Sequence, residues 1–149
     1  MYRLRLARER DFDFCFELKK AAEFEPIQNV FGWDEDTQKS LHTREWLTAK
    51  PTIIEIKERP VGSFLIEKKA THWYFGRFFL LPELQGQGVG SQILQEVTNK
   101  ADKVAMPIHL SYLQTNRVGN LYLRFGFLAV ASDEQFIHMV RKSLPISEG

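Results

Sequence analysis

The chain reads as an α/β domain of the α+β kind, with elements in the order βααβββαβαββ. Three observations carry that reading. Short segments with apolar residues at every second position are interspersed with longer ones whose apolar residues recur every three or four. Glycine, proline and asparagine mark the boundaries between them. One apolar strand end also runs through Pro82 and the glycine-spaced stretch Gln85-Gly86-Gln87-Gly88-Val89-Gly90 straight into a helical pattern.

Tyr2 to Ala7 alternates Leu4 and Leu6 with Arg3 and Arg5, as a half-buried strand does. Residues 11–24 place Phe14, Leu18, Ala21 and Ala22 on one helical face, with Asp11 as a cap, and residues 26–33 then read as a connection opened by Pro26. Asp34-Glu35-Asp36 puts acids in the first turn of a second helix, which carries Leu41, Trp46 and Leu47 and stops before Pro51. Thr52 to Ile56 and Val61 to Ile66 form a hairpin across Lys57-Glu58-Arg59-Pro60, and Trp73 to Leu81 supplies the next strand. The helix after the glycine turn runs to about Lys103 on Val89, Ile93, Leu94, Val97 and Ala101. A strand at Ile108 to Leu113, a short helix around Tyr122, and strands at Phe127 to Ala131 and Gln135 to Val140 complete the order.

The 149 residues make one domain, 2–149, of a size that buries a substantial core, and 44% apolar with 26% charged residues is a globular composition. Net charge is +1 and no like-charge block runs long, which argues against nucleic-acid or anionic-membrane partners. There is no apolar run of signal-peptide or membrane-spanning length, so the protein is read as cytoplasmic. The four histidines, 42, 72, 109 and 138, are scattered without metal-ligand spacing, so no metal is expected. Cys15 lies between Phe14 and Phe16 on an apolar helix face and reads as a buried, inert thiol.

The glycine turn carries the chemistry. A helix N-terminus has N–H groups without carbonyl partners and a partial positive charge, so an anion fits there. Glycines at 86, 88 and 90 allow positive φ and close approach of a bulky phosphate to the main chain. The spacing is neither the dinucleotide G-x-G-x-x-G nor a loop ending in Gly-Lys-Ser/Thr.

Gln85-Gly86-Gln87-Gly88-Val89-Gly90, preceded by Leu81-Pro82-Glu83, resembles the Gln/Arg-x-x-Gly-x-Gly/Ala signature of the GCN5-related N-acetyltransferases (GNAT family). A second segment, residues 116–127, is similar to that family's later motif: Asn116, Leu121-Tyr122, then Gly126-Phe127, with Val118 or Gly119 in place of its small alanine. The resemblance covers nearly the whole chain. It implies a mixed, mostly antiparallel central sheet flanked by helices. Acetyl-CoA is the implied co-substrate, its pyrophosphate held by Gln85, Gly86, Gln87, Gly88, Val89, Gly90 and Ser91. The implied strand that receives the pantetheine arm is Phe79, Leu80 and Leu81, with Asn116, Leu121 and Phe125 completing the cofactor contacts.

In such a site, catalysis is mostly the positioning of two reactants for direct attack. The leaving thiolate needs a proton, and the resemblance makes Tyr122 the general acid; a tyrosine pKa near ~10 keeps it protonated at neutral pH. The acceptor, a primary amine of a small molecule or peptide, must lose a proton. Many relatives carry a carboxylate on the strand before the turn, whereas Trp73 to Leu81 has none. Asp34 and Glu35 are substitutes whose plainer role is capping a helix, and Glu45, Glu55 and Glu67 read more simply as surface carboxylates, so no base is assigned. Arg77 faces either an anionic substrate group or solvent; Phe31, Trp33 and Trp46 line a pocket or fill the core, with core the better reading for Trp46. The competing reading is a non-catalytic acyl-CoA-binding regulatory or sensor domain, and a homodimer is compatible with either.

Overall fold

The computed structural model describes residues 1–145; residues 146–149 of the expected 2–149 domain lie outside the described residues. The elements are β1 (Tyr2–Leu6), α1 (Phe12–Val30), α2 (Glu35–Thr48), β2 (Thr52–Ile56), β3 (Arg59–Lys68), β4 (Trp73–Leu80), α3 (Val89–Lys103), β5 (Ile108–Leu113), α4 (Gly119–Arg124), β6 (Leu128–Ser132) and β7 (Phe136–Arg141). Their order is the expected one, and they build a seven-stranded mixed sheet in the order β1-β2-β3-β4-β5-β7-β6. The β1–β2, β2–β3, β5–β7 and β6–β7 ladders are antiparallel and β4–β5 is parallel.

The chain divides into two compact units, Met1–Leu65 with Arg77–Gln85, and Ile66–Gly76 with the chain from Gly86 onward. Strands β3 and β4 each contribute to both, divided at Leu65/Ile66 and at Gly76/Arg77. Arg77 has φ +48, a left-handed conformation that a non-glycine residue inside a strand holds only against strain. Its guanidinium donates to the Ala49 carbonyl at 2.8 Å and lies 3.5 Å from Glu45. Arg77 is therefore a structural anchor within the first unit, which corrects both roles open to it in the sequence.

In the first unit, β2 and β3 form the expected hairpin, and Lys57 and Glu58 both take positive φ, as a tight two-residue turn requires. Helix α1 departs from expectation by running through Pro26 to Val30. Its stop signal is Gly32, at φ +78, whose N–H bonds the carbonyls of Ile27 and Gln28 in a left-handed helix cap. The buried face of α1 is Cys15, Phe16, Leu18 and Ile27, while Ala21 is exposed. On α2 the buried stripe is Gln38, His42 and Trp46, and Leu47 is 77% exposed. His42 is held by an Nε2 contact of 2.9 Å to the Phe12 carbonyl and by ring contacts with Phe12 and Trp46, and burial lowers its basicity. Asp11 does not cap α1 with its side chain; Arg5 binds both of its oxygens, at 2.7 and 3.0 Å.

Burial pushes the Cys15 thiol up to about 12. We expect no labelling of the native protein by a thiol reagent at pH 8, and prompt labelling once it is unfolded; labelling of the folded protein at the rate of a free thiol would contradict this placement.

In the second unit, α3 buries Val89, Ile93, Leu94, Val97, Thr98 and Ala101 as a continuous stripe, and Ile108, Leu110, Phe127 and Met139 are buried with it. Arg141 on β7 is buried among these apolar groups. It makes two bonds to Asp102 on α3, at 2.8 and 3.0 Å, and a third, 2.8 Å, to the carbonyl of Phe125 at the end of α4. This fork ties α3, α4 and β7 together.

Candidate functional site

The pantetheine-strand candidates belong to the first unit. Phe79, Leu80 and Leu81 are half-buried, and the Leu81 N–H donates to the Val61 carbonyl at 2.9 Å. Gly62 on β3 sets how closely the strands pack. A Cβ there would lie 2.6 Å from the Phe79 carbonyl oxygen and 2.7 Å from Leu80 Cδ2, so only glycine fits. Gln85 folds its amide back onto the Leu80 carbonyl at 3.3 Å, closing the short turn of Pro82–Leu84.

The rest of the candidates belong to the second unit. Gly86 has φ +79 and Gly88 φ +86; the second is the N-cap of α3 in a left-handed conformation. No heavy atom lies within 4 Å of a Cβ built at either position, so the turn is open on the side where a side chain would stand. Val89 buries its side chain and anchors the first turn, while Gly90 and Ser91 remain half-buried. No acidic residue occupies that turn of α3. Helical geometry leaves the N–H groups of Val89, Gly90 and Ser91 without carbonyl partners inside the helix. Gln87 is exposed at the crest.

Helix α4 brings the second motif together. Asn116 accepts the N–H of Val118 on its Oδ1 at 3.0 Å and so shapes the turn that starts the helix. The motif's small position is Gly119. Its missing methyl is replaced by the hydroxyl of Tyr112, which would lie 2.3 Å from a Cβ there, so Tyr112 of β5 packs directly on the start of α4. Tyr122, one turn on, is 6% exposed, with ring centroids 5.9 Å from Tyr112 and 5.7 Å from Phe127. Leu121 and Phe125 are half-buried beside it, and the Phe125 carbonyl accepts the Arg141 bond already described.

The carboxylates considered as bases are accounted for. Asp34 is the N-cap of α2, accepting the Thr37 hydroxyl and, at 3.1 Å, the Thr37 N–H; both contacts hold it below the usual carboxylate range. Glu35 is held low by Lys20 at 2.8 Å and by the Trp33 indole at 3.1 Å. Glu45 faces Arg77, Glu55 pairs with Arg5 at 2.9 Å, and Glu67 is exposed. A carboxylate held low is a poorer proton acceptor at neutral pH. Trp33 packs on Phe24 and Phe16, Trp46 is core, and Phe31 is exposed. Among the described residues no group of three or more His, Cys, Asp or Glu is gathered as a metal would require, and no helix is long and apolar enough to cross a membrane.

The fit to acetyl-CoA rests on the turn: two glycines in positive φ with open Cβ positions, an adjoining helix N-terminus, and no nearby acid in the first turn of α3 to repel a pyrophosphate. Comparison with solved structures returns the same architecture. PaiA N-acetyltransferase from Thermoplasma acidophilum, in complex with coenzyme A, matches at TM-score 0.73 and 16% identity over 95% of this chain and 99% of that one. The ribosomal-protein-S18-alanine N-acetyltransferase of Escherichia coli matches at 0.71 and 15% over 97% and 96%. Escherichia coli ElaA matches at 0.65 and 20% over 95% and 100%. No curated protein sequence matches the chain. The model of the acetyltransferase (GNAT) domain matches residues 49–128, which take in the glycine turn, α3, β5 and the Leu121-Tyr122 helix. That span is more than half of the chain, and the protein belongs to the GNAT acetyltransferase domain family.

Proposed function

We propose that this chain is an acyl-CoA-dependent N-acyltransferase of the cytoplasm, using acetyl-CoA and a primary amine on a small molecule or peptide, with 2–149 acting as one domain. The observation that carries the reading is the open, positive-φ turn of Gly86 and Gly88 leading into α3, inside a matched acetyltransferase domain. Acetyl-CoA supplies the acetyl group as an activated thioester. In this reading Gly86 to Ser91 hold the pyrophosphate by main-chain N–H groups, with Gln85 closing the turn. Phe79 to Leu81 align the pantetheine arm, Asn116, Leu121 and Phe125 support it, and Tyr122 donates a proton to the departing sulfur. The buried position of Tyr122 keeps bulk water from competing for that proton.

A Tyr122→Phe variant tests this. The acetyl-CoA-induced rise in melting temperature should match that of the parent, because roughly 2.7 kcal/mol of ligand stabilisation at a hundredfold excess over Kd does not involve the hydroxyl. Amine-dependent thiol release should fall by about two orders of magnitude. Unchanged turnover removes Tyr122 from the mechanism. Stabilisation by acetyl-CoA without thiol release for any amine would instead favour the binding-only reading, which the carboxylate-free strand β4 supports.

A further inference from the structure

Ser111 on β5 and His138 on β7 are directly opposed in the antiparallel ladder, which puts both side chains on one face of the sheet. Ser111 Oγ is 2.6 Å from His138 Nδ1, and Nε2 of the same ring is 3.6 Å from Asp133 Oδ2. Asp133 is fixed by the N–H groups of Phe136 at 2.7 Å and Gln135 at 2.8 Å, both on its Oδ1. Those bonds hold it below the usual carboxylate range, so it is anionic at neutral pH. A carboxylate beside Nε2 favours the tautomer protonated there and leaves the Nδ1 lone pair to accept from the serine hydroxyl. The side chains of His138 and Asp133 are 40% and 58% exposed, so neither is there to fill a core.

The position on β5 matters as much as the array. The β4–β5 ladder pairs Trp73 with Ile108 and Tyr74 with His109, and Ser111 follows two residues later. The next residue, Tyr112, points to the opposite face and packs against the Tyr122 ring. An acyl group held along this stretch of β5 therefore has Tyr122 on one side and Ser111 on the other.

We propose that Ser111, His138 and Asp133 form the relay that takes the proton from the acceptor amine; this rests on the transferase reading above. Ser111 Oγ accepts a proton from the ammonium group while its own proton passes to His138 Nδ1, and Asp133 stabilises the resulting imidazolium. The freed nitrogen lone pair forms the N–C bond to the acetyl carbon. The C–S bond breaks with its electron pair on sulfur, which takes the Tyr122 proton. The second proton lost by the nitrogen restores Tyr122, and His138 releases its proton to water. The sum is ammonium plus thioester giving amide, thiol and one proton.

The groups facing the His138 ring are Ser111, Asp133 and the Phe136 ring at 6.3 Å. The next titratable side chain on that face of β5 is His109, stacked on His72 at 4.1 Å, and it is the control. The test compares parent, His138→Gln, Ser111→Ala and His109→Gln with acetyl-CoA and benzylamine, spermidine or a lysine peptide from pH 6 to 10. We expect kcat/KM of both relay variants to be about a hundredfold down at pH 7, with the deficit closing as pH nears the pKa of the amine used, roughly 10.4 for the lysine peptide. His109→Gln and all acetyl-CoA thermal shifts should be unaffected. Independently of turnover, ring nitrogen NMR of the ligand-free protein should show His138 protonated at Nε2, with its Nδ1 resonance moved by Ser111→Ala. A parent-like pH profile in His138→Gln, or a ring protonated at Nδ1, overturns the relay while the transferase reading stands. No acetyl-CoA stabilisation of the parent overturns the transferase reading itself. Stabilisation without thiol release from any of the three amines overturns the relay's role along with turnover.

Discussion

Arg141→Met should lower the stability of the protein by about 3 kcal/mol, because a buried charge pair is broken from one side only. Arg141 is 5% exposed and its partner Asp102 has 20% of its side chain accessible, so water replaces the lost guanidinium only in part. Methionine keeps much of the buried aliphatic volume, but Asp102 loses both guanidinium bonds, its Oδ1 keeping only the Leu144 N–H at 2.9 Å, and the Phe125 carbonyl loses its donor. For a chain of 149 residues that corresponds to a melting temperature lower by roughly 10 °C. The double variant Arg141→Met with Asp102→Asn should recover part of the loss, since the uncompensated carboxylate is then gone. If Arg141→Met alone melts within a degree or two of the parent, the fork does not hold α3, α4 and β7 together as described. Because the Phe125 carbonyl closes α4, the same substitution should also loosen the helix that carries Tyr122, and hydrogen exchange over residues 119–127 would report it.

Gly62→Ala carries the second large effect, through the main chain. The added methyl would meet the Phe79 carbonyl oxygen at 2.6 Å and Leu80 Cδ2 at 2.7 Å. The leucine can change rotamer, whereas a strand carbonyl moves only with its strand. We expect a loss of about 3 kcal/mol, at the upper end of ordinary overpacking. Phe79 to Leu81 is the segment assigned to the pantetheine arm, so acetyl-CoA affinity should fall further than the stability loss alone dictates. Trimming the side chain with Leu80→Ala should not rescue Gly62→Ala, because the closer obstacle is backbone. Full rescue by Leu80→Ala would falsify the backbone account.

Much of this was legible in the chain. Period-two and period-3.6 patterns located most strands and helices, since those patterns follow from which side chains a strand or helix turns toward the core; β6, exposed along its length, carries no such pattern. The Gly86–Gly90 turn and the Asn116 to Phe127 segment could be read because each is contiguous: the residues that shape a glycine turn or a short helix lie next to one another. Helix α1 was cut short at Pro26 because proline is an interior breaker, yet the decisive stop is Gly32, whose left-handed cap has to be seen in three dimensions. On α2 the apolar Leu41 and Leu47 suggested a face that the structure does not bury as such. Gln38 and His42 take the buried stripe with Trp46 instead, because His42 finds the Phe12 carbonyl and two aromatic rings there.

By itself, then, the sequence determined the class of fold, the order of its elements and the place of the glycine turn before α3, all of which depend on residues close in the chain. Tertiary structure alone decided that Tyr112 fills the space a methyl at Gly119 would need and that Arg141 reaches Asp102 and Phe125. It alone brought Ser111, His138 and Asp133 into line. Ser111 and His138 lie 27 residues apart, as Asp102 and Arg141 lie 39 apart, and the β5–β7 register and the packing of α3 on β7 are what place them within bonding distance.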